Sequence, residues 1–290
     1  MRRSLLILAL IIAFTGCGGS SGMHSTPSQF VAGKWTANIF SPTQAQLANL
    51  DMNLAQTGET ISSDSLNTID NLNCPDNLAH MDSTTGTVTG NQFNLVFSVS
   101  GESITLTGTV ATGGKTVFGN FTSGGGPCLN GTGGTFTAAF IPSATGTYTG
   151  TLTSVSNVVS NATAMLSEDA NFNVSASVVV TNNTCFSSLA TVAPDFGMSI
   201  GSLTVFNATD GTTDVDFIGR ILQIGSSLSG FNGNWITSGN CATEGVFQLT
   251  FGTAGAMHVP DANGATSAKS ELPPYMVERL KTLLAARREK

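Results

Sequence analysis

Apolar and polar residues alternate strictly along most of this chain, and that alternation limits its architecture more than any other feature. Phe93, Leu95, Phe97 and Val99 are separated by Asn94, Val96 and Ser98. Ile104, Leu106, Gly108 and Val110 alternate with threonines, and Val174, Ala176, Val178 and Val180 keep the same rhythm, as do Val215, Phe217 and Gly219. A period of two gives each strand one buried and one solvated face, which is the pattern of antiparallel sheet. Gly90-Asn91, Gly113-Gly114, Asn130-Gly131 and Asn232-Gly233 punctuate the runs as turns. At intervals of ~10–14 residues the runs amount to about eight strands in each half, the spacing of a small barrel or sandwich.

The halves are copies of one another. Gly33-Lys34-Trp35-Thr36 opens one segment, and Gly146-Thr147-Tyr148-Thr149 opens another 113 residues later. Phe118-Gly119-Asn120-Phe121 precedes Cys128, as Phe231-Asn232-Gly233-Asn234-Trp235 precedes Cys241. Each half closes on a similar strand, Gly134 to Phe140 and Gly245 to Phe251. Several coincidences in the same order point to duplication. The expected fold is all-β, with two tandem antiparallel barrel or sandwich modules at 30–142 and 143–255.

Five cysteines occur, at 17, 74, 128, 185 and 241. Setting Cys17 aside leaves four, which allow three pairings. Separations of 54 residues between Cys74 and Cys128 and 56 between Cys185 and Cys241 favour one disulfide per module. No Cys-x-x-Cys pair occurs, and His24, His80 and His258 are scattered, so neither a metal centre nor a cofactor is expected.

The N-terminus reads as an export signal. Met1-Arg2-Arg3 is followed by a nearly continuous apolar run from Leu5 to Phe14, too short to span a bilayer. Phe14-Thr15-Gly16-Cys17 resembles the lipobox of bacterial lipoproteins, with Phe14 standing where Leu is usual. The resemblance implies cleavage after residue 16, acylation of Cys17 and attachment to a membrane. Gly18, in place of the Asp that commonly retains such proteins in the inner membrane, implies the outer one. Residues 17–29 then read as a tether, Gly- and Ser-rich at its start.

Gly33-Lys34-Trp35 on a first strand is similar to the G-x-W opening of the calycins, the lipocalins and avidins among them. The resemblance implies an eight-stranded up-and-down barrel with Trp35 plugging one end and Tyr148 in that place in the second copy. It also implies a binding module for a small apolar ligand, as an alternative to a filled structural barrel.

Charge narrows the partners. Residues 17–268 carry three basic side chains, Lys34, Lys115 and Arg220, against 15 acidic ones, a balance of −12 that argues against nucleic acid. The tail is different. Behind a linker at 256–272 and Pro273-Pro274, the residues Met276, Leu280, Leu283 and Leu284 line one face of an expected amphipathic helix at 273–290. Its cations make it a candidate contact for a partner protein or anionic lipid.

Two patterns with catalytic potential are weak. Gly197-Met198-Ser199-Ile200-Gly201 fits G-x-S-x-G, with Asp214 and His258 following, but Ser202 to Phe206 reads as another strand where a nucleophile elbow needs a helix. Asp210, Asp214 and Asp216 gather near a turn without the spacing of a calcium loop. The expected role is therefore a non-enzymatic, lipid-anchored envelope protein with structural or interaction duties.

Overall fold

The computed structural model describes residues 28–63, 68–70, 78–191, 197–239 and 241–252. The signal segment, Cys17, Cys74, the linker at 256–272 and the expected helix at 273–290 lie outside the described residues. Every regular element among the described residues is a β-strand.

The first half contains β1 (Gly33–Phe40), β2 (Gln46–Thr57), β3 (Thr60–Ser63), β4 (Thr68–Asp70), β5 (Leu78–Thr89), β6 (Gln92–Val99), β7 (Glu102–Val110), β8 (Thr116–Ser123) and β9 (Gly133–Ile141). Successive strands pair antiparallel, and β1 returns to pair with β9 from Lys34↔Ile141 to Phe40↔Thr135. β3 and β4 share one place, each lying between β2 and β5, so nine strands make a closed barrel of eight positions. Closure settles the choice between barrel and sandwich.

The second half repeats this plan with β10 (Gly146–Ser154), β11 (Val159–Glu168), β12 (Val174–Thr181), β13 (Ser188–Ala190), β14 (Gly197–Ile200), β15 (Leu203–Thr209), β16 (Thr213–Ile224), β17 (Ser227–Gly239) and β18 (Glu244–Phe251). β10 pairs with β18 to close it. Here the fourth position is the divided one, shared by β13 and β14 between β12 and β15.

Alternation puts the apolar residues inside. Trp35, Ala37 and Ile39 of β1, Leu50 and Met52 of β2, Leu95 and Phe97 of β6, and Phe121 and Phe136 belong to one buried cluster. The second interior combines aliphatic side chains with a cluster of aromatic rings. Phe206 stacks on Phe217 at 4.9 Å, Phe231 meets Phe247 at 4.6 Å, and Tyr148 stands edge-on to Phe231 at 6.2 Å. Such pairs add to the area they bury.

One end of each barrel is plugged in the same way. The Trp35 indole N–H donates to the Val31 carbonyl at 2.8 Å, and the Tyr148 hydroxyl donates to the Ala144 carbonyl at 2.8 Å, each four residues back. Trp35 stands edge-on to Phe140, and Tyr148 to Phe251. Two residues before each plug a glycine has positive φ, Gly33 at 124° and Gly146 at 151°, and an added Cβ would strike Phe140 or Phe251 within 2.6 Å. The turn after the first strand is also duplicated. Ser41 and Ser154 each accept, through the hydroxyl, from the amide four residues on, and Gln44 and Asn157 both take φ near +60°.

Removing the Tyr148 hydroxyl leaves the buried Ala144 carbonyl without its partner. Tyr148→Phe is expected to cost about 1–2 kcal/mol, measured as a lower urea midpoint at unchanged slope.

Candidate functional site: the junction between the barrels

The outward face of β1 and β2 is not free. Opposite the inward Trp35 and Met52 lie Lys34, Asp51 and Asn53, polar side chains that are buried because the second barrel covers them. Lys34 Nζ meets Glu168 Oε2 at 2.5 Å, with side-chain exposures of 2% and 3%. The same Glu168 oxygen accepts the Ala144 amide at 2.7 Å. Burial pulls the Lys34 amine below its ordinary value, and the Glu168 carboxylate opposes that pull. Burial and the same carboxylate raise the Tyr148 phenol.

A second ion pair lies along the same face. Arg220 Nη1 of β16 meets Asp51 Oδ2 at 2.5 Å and also reaches Asn49 Oδ1 at 3.3 Å. Asp51 Oδ1 accepts both the amide and the hydroxyl of Ser202 at 2.8 Å. Asn53 donates to the Ser199 carbonyl at 2.8 Å and accepts the Gly201 amide at 3.1 Å. The β14–β15 hairpin thus presents its backbone to two β2 side chains. Gly201 is required at its tip: φ is +54°, and a Cβ there would lie 2.4 Å from the Trp35 carbonyl.

The chemistry of this arrangement is recognition of one barrel by the other. Withdrawing an ion from water costs several kcal/mol, and only a matched partner offsets it. Sequence reasoning did not find the junction. Its signal was the scarcity of cations: two of the three basic side chains in residues 17–268 are in it.

The expected site residues are distributed elsewhere. Trp35 and Tyr148 are the barrel-end aromatics described above. Cys185 and Cys241 form a disulfide with Cα atoms 5.6 Å apart, joining the β12–β13 and β17–β18 loops at the end opposite the plug. Cys128 is disulfide-bonded, while its expected partner Cys74 and the lipidation candidate Cys17 lie outside the described residues. The loop holding Cys128 rests on Glu102, a buried carboxylate that accepts the Cys128 amide at 2.9 Å, the Leu129 amide at 3.1 Å and the Ser123 hydroxyl. Beside it lies a surface cavity of about 390 Å3 lined by Leu47, Pro127, Cys128, Leu129 and neighbouring loop backbone.

Ser199 is on strand β14 and not on an elbow, and its hydroxyl is bonded to that of Thr204 at 2.8 Å. Asp210 closes its own turn. Bonds from the Thr212 hydroxyl and amide and from the Thr213 amide hold its carboxyl below the ordinary value. Asp216 accepts from Asn207 at 2.8 Å. Among the described residues no three His, Cys, Asp or Glu side chains converge as metal ligands. No protein-family model matches the chain, and no curated protein matches it.

Lys34→Met leaves Glu168 buried without its counter-charge, and the loss expected is about 3–5 kcal/mol. Lys34→Met combined with Glu168→Gln, which removes the charge but keeps an acceptor for the Ala144 amide, should recover most of it. Equilibrium denaturation of the parent, both single variants and the double variant checks this; a double-variant loss equal to the sum of the two single losses would show that the pair is not coupled.

Proposed function

We propose that this chain is an exported lipoprotein, held to the outer membrane through an acylated Cys17, whose two joined barrels act as a structural or interaction body without catalysis. The Arg-Arg, apolar-run, Thr-Gly-Cys arrangement carries the anchoring part of this reading. The observation that carries the rest is the way the barrels are built. Large side chains occupy both interiors, and buried charge pairs join the two bodies. Such a construction suits a rigid spacer or docking body. The tail at 273–290 adds a candidate contact for a partner protein or anionic lipid.

Anchoring is tested by expression with labelled palmitate. The parent chain is expected to take up label and Cys17→Ala to lose it; equal labelling of both would exclude acylation at this residue.

The cavity beside Cys128 favours a second reading, a binding module for a small apolar ligand, since its size lies within the range of ligand sites. In that case a fluorescent apolar probe such as N-phenyl-1-naphthylamine binds saturably, and Leu47→Trp, which fills the cavity, abolishes the binding. A parent protein that leaves probe emission unchanged excludes it.

A further inference from the structure

We propose that the plugged rim of the first barrel, carrying Phe30, Lys115 and Phe118, is the face laid against the membrane. This inference rests on the reading of Cys17 as the anchor and adds the orientation and the contact residues.

The chain enters the first barrel at this rim and is fastened there. The Gln29 amide donates to the Gly90 carbonyl at 2.8 Å, the Ser28 hydroxyl donates to Glu59 at 3.1 Å, and the Val31 amide donates to Gln56 Oε1 at 2.7 Å. Ser28 therefore has a fixed place at the plugged end. Only residues 18–27 separate it from Cys17, ~35 Å at full stretch. If the opposite end faced the bilayer, those residues would first have to run the height of the barrel, ~20 Å for a tilted strand of this length. With the plugged rim facing the bilayer they need cover only the gap.

The side chains on this rim suit an interface between hydrocarbon and headgroups. Phe30 is 69% exposed and Phe118, outward on β8, is 54% exposed, unusual for phenylalanines in a chain that buries most of its aromatic rings. The Phe30 carbonyl lies against the β7–β8 turn, 2.9 Å from where a Cβ on Gly114 would be. Lys115 follows in that turn, exposed, with its amine 5.7 Å from the Phe140 ring. It is the one cation of residues 17–268 outside the two junction pairs. Phe118 is three residues further along β8, ~10 Å away. Two aromatic rings flanking a cation form a shallow amphipathic rim, and the partner it fits is the interfacial zone of a lipid surface.

The test uses the acylated full chain in vesicles of brominated phosphatidylcholine and phosphatidylglycerol. Trp35 and Trp235 are buried and give a constant background. Phe30→Trp and Phe118→Trp are compared with Thr43→Trp, an exposed site at the opposite end of the same barrel. Bromolipid should quench most of the added emission of the first two and spare the third. If the protein floats with the vesicles but Phe118→Trp is unquenched, or Thr43→Trp is the quenched variant, the orientation is overturned while the anchor stands. If the parent does not float, the anchor is wrong and the orientation falls with it.

Discussion

Two buried ion pairs decide how the halves of this molecule sit together. A lysine removed from water and an arginine partly so are tolerated where Glu168 and Asp51 meet them. A tilted or slipped arrangement would leave four charges desolvated and unmatched, so the pairs specify orientation more than they add net stability. Other features hang on them. Glu168 also holds the Ala144 amide, and the Ala144 carbonyl takes the Tyr148 hydroxyl. The ion pair, the short connection between the barrels and the plug of the second barrel therefore form one hydrogen-bonded chain. Hydrogen bonds thus connect Lys34 on the first barrel to the plug at the end of the second.

Much of the fold was legible because it follows from local patterns repeated many times. Alternation placed Phe93, Leu95, Phe97 and Val99 inside, and all four are buried. The offset of 113 residues carries Gly33 onto Gly146, Trp35 onto Tyr148 and Ser41 onto Ser154, and in each case the backbone geometry and hydrogen bonds recur. Gly108↔Gly119 and Gly219↔Gly233 are paired across the same two positions of each barrel.

What was not legible arises where the copies differ. Lys34 has Thr147 as its counterpart, and the difference is the reason one barrel can recognise the other instead of itself. Strand patterns describe which face is inward but are silent on what covers the outward face, so nothing in them marks Asp51 and Asn53 as junction residues. The divided positions escaped as well. β4 and β13 are three residues each, too short for a period to be read, and they interrupt the third position in the first barrel and the fourth in the second.

Each barrel is completed by joining its first strand to its last, β1 to β9 and β10 to β18. A sheet of this kind has no free margin when whole and two when unfinished. Threonine-rich strands with unsatisfied backbone groups along a margin are templates for pairing with other chains. Only 10% of the residues are charged, which leaves little repulsion to keep such margins apart. Protection against edge-to-edge pairing is therefore a property of the finished circle rather than of charge repulsion. Until the last strand is in place the chain is a sticky ribbon, and that ties its resistance to aggregation to how quickly two segments roughly a hundred residues apart can find each other.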